Sequence, residues 1–402
     1  MRVKIYPSKA VGFINAPPSK SLAHRALICG ALSEGSKINN IAFSKDISAT
    51  LDCLCALGAK SEINGDRVDI GSLDLTNPVD NAELFCNESG STLRFLIPLC
   101  LLSNKRITLK GAKRLFERPL DIYEKICKEQ GILFEKSQTS LTVCGKLSSG
   151  VYKIPGDISS QFITGLLFAL PLVDGFSIIE IVGKFESASY IDLTLDVLSK
   201  FGIKISRNEN RFIIAGNQKY KSSDYTVEGD CSNAAFLEAL SFLGGDVTVG
   251  GISKSTLQGD RVYHDIFNAI ANGEREFDLS DCPDLAPILF SVASVKGGAM
   301  FNGTARLRIK ESDRAAVMAE ELAKFGVKLD VSENSVHVDG SGIKPPKTIL
   351  CGHNDHRIVM SLAVLSTLVG GEIEGAEAVS KSYPNFFDDL KSLKIGIDIY
   401  ED

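Results

Sequence analysis

Lys310-Glu311-Ser312-Asp313-Arg314 sets two cations beside carboxylates of a reactive type within five residues, where a helix is about to begin. Met318, Leu322 and Phe325 recur at helical spacing and Gly326 follows, so the pattern predicts a helix over 315–325 capped by Ser312 or Asp313. A helix start flanked by Lys and Arg forms an anion site, because its free N–H groups and dipole favour negative charge. Alone, such a stretch is better read as a solvated charge cluster. Its recurrence along the chain favours the functional reading.

Four further stretches share the design. In Pro17-Pro18-Ser19-Lys20-Ser21-Leu22-Ala23-His24-Arg25, Ser19 suits an N-cap, and the pairs Lys20/His24 and Ser21/Arg25 stand four apart on one polar face. A surface face competes strongly for His24. Cations in the first turns oppose the dipole unless an anion lies between them, which favours a ligand at Lys20 and Arg25. Glu88-Ser89-Gly90-Ser91-Thr92-Leu93-Arg94 has small residues that let N–H groups approach a ligand, then an Arg one turn on. Asp157-Ile158-Ser159-Ser160-Gln161 puts three polar groups at the start of an apolar helix, more than capping needs. Asn354-Asp355-His356-Arg357 precedes another apolar helix; His353, Asp355 and His356 lack a further obvious ligand, so no metal is expected.

The elements that must position these residues recur too. Helix-like segments end at Gly58, Gly131, Gly202, Gly273, Gly326 and Gly396, spaced 73, 71, 71, 53 and 70 residues apart. Polar helix starts at Ser19, Ser89, Ser159, Ser232, Asp284 and Asp355 are spaced 70, 70, 73, 52 and 71, keeping step through the one short interval. The spacing predicts six copies of a two-helix, several-strand unit of about 70 residues, three copies per domain. A second helix in each copy opens near Asp46, Arg118, Ser187, Asp260, Glu311 and Ser382. Helix starts aimed at one point would hold a ligand rich in phosphate and carboxylate. The expected domains are 1–14 with 228–402, carrying Asp284, Lys310, Glu311, Arg314, Arg357 and Lys381, and an inserted domain over 15–227.

Composition narrows the classes. With 402 residues, 44% of them hydrophobic, the chain can bury a large core, and its net charge of −6 carries no basic domain for nucleic acid. No apolar run approaches the roughly 20 residues that cross a bilayer. Met1-Arg2-Val3-Lys4-Ile5 leads directly into strand-like sequence without a signal peptide, and the ten cysteines include no CxxC pair. Buried thiols of a reducing cytoplasm are expected, and zinc is not. There is no Walker A loop, Rossmann glycine fingerprint or GxSxG.

Six ordered motifs give these residues a family. Pro18 to Arg25, Glu88 to Arg94, Glu117-Arg118-Pro119, Ser159-Ser160-Gln161, Lys310 to Arg314 and Asn354 to Arg357 together resemble the enolpyruvyl transferases over the whole chain. The resemblance implies an α/β fold, a two-domain inside-out α/β barrel of six repeats. It implies transfer of the enolpyruvyl group of phosphoenolpyruvate to the 5-hydroxyl of shikimate 3-phosphate through a tetrahedral adduct, without cofactor or metal. By the same resemblance Lys20, Ser21, Arg25, Ser159, Ser160, Gln161, Ser187, Tyr190, Asp284 and Lys310 bind shikimate 3-phosphate, the inserted domain holding its phosphate. Lys20, Gly90, Arg118, Gln161, Arg314, His356, Arg357 and Lys381 bind phosphoenolpyruvate. Asp284 is implied as the base near the 5-hydroxyl, Lys310 and Glu311 as the proton-transfer pair, and Lys20 as a further catalytic group. Substrate binding is expected to close the domains of a cytoplasmic monomer with no nucleic-acid or membrane partner.

Glu88 stands where many relatives carry Asn, and Arg306 where some do. A UDP-N-acetylglucosamine enolpyruvyl transferase would carry Lys-Asn in place of Lys20-Ser21 and a catalytic cysteine loop, which this sequence lacks. A non-catalytic phospholigand-binding relative is the other alternative; intact Asp284, Glu311 and Lys20 argue against it.

Overall fold

The structure, a computed structural model, describes residues 1–401. The chain divides into two compact units, Met1–Pro17 with Gly229–Asp402, and Pro18–Glu228.

Six sheets account for the repeat. In Pro18–Glu228, strand Glu83–Phe85 pairs parallel with Ile107–Lys110, which pairs antiparallel with Ser140–Cys144 and through it with Leu133–Lys136. Val151–Pro155, Phe176–Val182, Arg211–Ala215 and Ile205–Asn208 repeat this order, as do Asp224–Thr226, Ser36–Asn39, Arg67–Gly71 and Lys60–Asn64. The other unit has two such sheets. One is Glu276–Asp278, Ala299–Asn302, Ser335–Val338 and Leu329–Val331; the second is Leu350–Cys351, Gly371–Glu374, Arg2–Ile5 and Ile397–Tyr400. Its remaining sheet is only the parallel pair Asp246–Gly250 and Val11–Asn15.

That two-stranded sheet explains the short interval in the sequence. After helix Tyr263–Ala271 and the left-handed Gly273 the chain enters Glu276–Asp278 of the next sheet directly, where other repeats first build a hairpin. The two crossings between units follow an exchange of strands. Val11–Asn15 precedes helix Lys20–Leu32 but pairs with Asp246–Gly250, and Asp224–Thr226 precedes helix Cys231–Phe242 but pairs with Ser36–Asn39. Each strand stays in the unit that the chain is leaving.

The first helix of each repeat is apolar nearly all round, so it has no solvent face to present and lies in the interior of its unit. In one unit these are Cys231–Phe242, Ala286–Val295 and His356–Val369, which contact one another. In the other they are Lys20–Leu32, Gly90–Cys100 and Ser160–Ala169. The last two pack closely because Gly165 has no side chain, and a Cβ there would lie 2.5 Å from the Arg94 carbonyl oxygen.

Local expectations are met in part. Helix Arg314–Lys324 is capped by Asp313, which accepts from Ala316 N at 3.2 Å, while Ser312 donates to Asp355 instead. Ser19 occupies the N-cap of Lys20–Leu32 with no side-chain capping bond, and its hydroxyl lies buried without a partner. Asp230 is the cap of its helix, with Ser232 already inside. The face carrying His24 and Arg25 is buried, because Lys20–Leu32 is an interior helix. Gly58, Gly131, Gly202, Gly273 and Gly326 take the left-handed turn as expected, but in the last repeat Lys394 takes it (φ 70°) and Gly396 does not. All ten cysteines are free, seven of them buried. Among the described residues no helix is long and apolar enough to cross a membrane.

Candidate active site

Within a repeat, a side chain at the second helix start reaches back to the first helix start, 26 to 28 residues earlier. Lys20 Nζ donates to Asp46 Oδ2 at 2.8 Å, Lys310 Nζ to Asp284 Oδ1 at 3.0 Å, and Lys381 Nζ to the Asn354 carbonyl at 2.5 Å. Ser232 Oγ donates to Asp260 in the same register. Gly90 lies against Arg118; a Cβ on Gly90 would be 2.6 Å from Arg118 Nη1. The repeat therefore makes one contact in many chemical versions, and these versions hold Lys20, Asp284 and Lys310, three of the four residues expected to be catalytic, with Gly90, Arg118 and Lys381.

In the unit containing Gly229–Asp402, Asp284, Lys310, Glu311, Arg314 and Arg357 form one connected network. Asp284 accepts from Lys310, from Arg314 Nη1 at 2.8 Å and from Arg357 Nη2 at 3.1 Å. Arg314, 1% exposed, also binds Glu311 Oε2 at 2.8 Å and Asp355 Oδ2 through Nε at 2.9 Å. Asp355 is fully buried and caps helix His356–Val369 by accepting from Arg357 N at 3.0 Å. His356 is buried beside it, 3.9 Å from the Asp355 carboxylate.

Electrostatics divide these groups. Burial works to raise the Asp284 carboxyl, but Arg357, Lys310 and Arg314 outweigh it and hold it well below the ordinary carboxylate range. Burial works the same way on Asp355, and Arg314 lowers it. The Lys310 ammonium is pushed down, chiefly by burial and secondarily by Arg314, with Asp284 opposing. Arg314 stays charged because Asp355, Glu311 and Asp284 overcome its desolvation. Asp260 differs: burial, then the nearby Asp284 charge, raise it to about 6. An ionised carboxylate, a depressed ammonium and a permanently charged guanidinium thus share one hydrogen-bonded cluster, which can accept a proton, donate one and bind an anion.

In Pro18–Glu228 the pattern is hydroxyl-rich. Arg25 donates from Nη1 to the Ser21 carbonyl at 2.7 Å, from Nη2 to the Tyr190 carbonyl at 3.1 Å and from Nε to Thr194 Oγ1 at 2.8 Å. Burial lowers it to about 10. Gln161 is held from both sides: Arg94 Nη1 donates to its Oε1 at 2.8 Å, and its Nε2 donates to Ser91 Oγ at 3.0 Å. Ser159 caps helix Ser160–Ala169, accepting from Gln161 N at 3.3 Å. Ser187 precedes helix Ala188–Lys200 in a left-handed conformation, φ 56°. His24 contacts Thr50 Oγ1 at 2.7 Å, and Thr50 continues to Thr92 and Ser89. Burial, then Lys20 and Arg25, depress His24 well below its ordinary value, so it is neutral.

Sequence reasoning underrated three supports. Asp46, Arg94 and Asp355 orient Lys20, Gln161 and Arg314. The repeat register carries a signal for Asp46, since it opens a second helix, whereas nothing in the spacing marks Arg94 as the partner of a glutamine 67 residues away.

Comparison with solved structures defines the class. The fold matches an EPSP synthase from Acinetobacter baumannii at a TM-score of 0.78, with 23% identity and 99% and 100% of the two chains covered. It matches the enolpyruvyl transferase NikO from Streptomyces tendae at 0.79, with 14% identity and 99% and 98% covered. The fold is therefore that of the enolpyruvyl transferases. Residues 6–390 match the family model for EPSP synthase (3-phosphoshikimate 1-carboxyvinyltransferase), and the chain belongs to that family. A 3-phosphoshikimate 1-carboxyvinyltransferase from Clostridium kluyveri is 44% identical over 425 residues, spanning 98% of both chains.

Proposed function

We propose that the chain transfers the enolpyruvyl group of phosphoenolpyruvate to the 5-hydroxyl of shikimate 3-phosphate, releasing phosphate, as the step that leads toward chorismate and the aromatic amino acids. Family membership and the named relatives support the reaction. The observation that carries it to this chain's residues is the cluster in which Asp284 and Lys310 share a 3.0 Å hydrogen bond beside Arg314 and Glu311.

The reaction needs a proton removed from an alcohol and one delivered to the methylene carbon of phosphoenolpyruvate, then the reverse transfer at that carbon as phosphate leaves. We assign Asp284 as the base at the 5-hydroxyl, and Glu311 with Lys310 to proton traffic at the methylene carbon. Arg314, Arg357, His356, Lys381, Lys20, Arg118, Gln161 and Gly90 are assigned to phosphoenolpyruvate. Guanidinium forks and ammonium groups bind its anions, and the bare Gly90 backbone lets Arg118 lie over the helix start. Ser159, Ser160 and Ser187 are assigned to the shikimate phosphate, and Lys20, Ser21, Arg25, Gln161, Tyr190, Asp284 and Lys310 to the rest of that substrate. The working form is proposed to be a cytoplasmic monomer, testable by sedimentation and cell fractionation.

The test is phosphate release from phosphoenolpyruvate with each acceptor. Release is expected with shikimate 3-phosphate and to persist with a chelator. Equal release with UDP-N-acetylglucosamine, or arrest by the chelator, would overturn the assignment.

A further inference from the structure

Glu321 lies two turns beyond Arg314 on helix Arg314–Lys324, and its carboxylate is fully buried. Oε1 accepts from Lys324 Nζ and lies 2.9 Å from His353 Nε2; Oε2 accepts from the Cys351 backbone N–H at 2.9 Å. The His353 contact reaches the loop between strand Leu350–Cys351 and helix His356–Val369, and the Cys351 contact holds the end of the strand that leads into it. That loop contains two consecutive left-handed residues, His353 (φ 46°) and Asn354 (φ 53°), neither of them glycine. Such backbone persists where its surroundings fix it.

The same helix grips the loop at a second point. Ser312 and Arg314, at its start, bind Asp355, the residue that follows the left-handed pair. Between the two grips the Asn354 carbonyl turns to accept from Lys381 Nζ. The carboxylates of Glu320 and Glu321 and the His353 ring lie within 4.8 Å of one another. The Lys324 ammonium already balances Glu321, so the arrangement reads as a structural clamp.

We propose that Glu321 is a positioning residue for phosphoenolpyruvate: it fixes the left-handed turn at His353–Asn354 and thereby the placement of His356, Arg357 and the carbonyl on which Lys381 rests. It touches neither substrate. Removing its carboxylate leaves the Cys351 N–H and the Lys324 ammonium without this acceptor and releases the turn. The proposal rests on the reaction assigned above.

The test compares Glu321→Ala, Glu321→Gln and His353→Gln with the intact chain in two measurements. In steady-state kinetics, KM for phosphoenolpyruvate should rise about tenfold in Glu321→Ala and a few-fold in the other two, with KM for shikimate 3-phosphate within about twofold of its original value. A role confined to stability would reduce the active fraction and leave both KM values unchanged, overturning the proposal. Hydrogen exchange without substrates should quicken over residues 350–358 in every variant that folds; unchanged exchange there would also overturn it. Should Glu321→Ala not fold, the same two readouts on the milder variants decide the proposal. Absence of turnover in the unaltered chain would instead count against the assigned reaction, and the exchange measurement would still decide the role of Glu321.

Discussion

The two compact units build their candidate site residues on one repeating contact and fill it differently. In Pro18–Glu228 it joins Lys20 to Asp46 and Arg118 to the bare Gly90, amid serine and threonine hydroxyls and carbonyl oxygens. In the other unit it joins Lys310 to Asp284 inside a lattice of three carboxylates, two guanidiniums and an ammonium. Hydroxyls and carbonyls can orient a polyhydroxylated, phosphorylated ring at little cost in free charge. Desolvated carboxylates and cations can exchange protons, and each depends on its neighbours. On the roles proposed above, one geometry serves the shikimate phosphate in one unit and proton transfer in the other, with cations for phosphoenolpyruvate in both.

The sharpest test of that division is Glu311→Gln, which keeps the shape and removes the ionisable group. It should lower kcat about 10²–10⁴-fold with substrate KM values changed only a few-fold. Equal loss in kcat and binding would make Glu311 another recognition group and erase the contrast.

Stability should differ between the units next. Asp355→Ala removes one of the three carboxylates that bind the buried Arg314 and also removes a helix cap, for an expected loss of about 2–4 kcal/mol in urea unfolding. Asp46→Ala should cost only about 1 kcal/mol, because Lys20 retains some access to water. Similar losses would show that the lattice is no more interdependent than the Lys20–Asp46 pair.

The pH dependence follows from Asp260. Its carboxyl titrates near 6 in the fold against an ordinary 3.8, so the folded state holds the proton more tightly. Acidification from above pH 6 toward pH 4 should therefore add roughly 2–3 kcal/mol of stability from this group, and Asp260→Asn should remove that rise. Asp284 works in the opposite sense. Held well below its ordinary value, its contribution is present above about pH 4 and is lost as pH falls through the folded value.

The smallest effect belongs to the hydroxyl-rich unit. A methyl at Gly90 meets the flexible end of Arg118, which can move aside, so Gly90→Ala should raise KM for phosphoenolpyruvate about tenfold and leave the unfolding midpoint within a few degrees. A large drop in that midpoint would mean that Gly90 serves packing.

The sequence by itself determined the six-unit plan, its short fourth interval and the α/β class, because helix starts and left-handed glycine ends are local backbone requirements that repeat with the fold. It also marked Lys310 to Arg314 and Asn354 to Arg357 as functional stretches. Only the tertiary structure decided which strand completes which sheet, since Val11–Asn15 and Asp224–Thr226 pair away from the helices they precede. It alone decided that the face bearing His24 and Arg25 is interior, and that Glu321 holds a loop when its i,i+3 spacing to Lys324 matches an ordinary surface ion pair. Spacing along a chain fixes which side chains share a helix face. What that face meets depends on segments tens to hundreds of residues away, and burial then sets both the charge state and the strength of every contact.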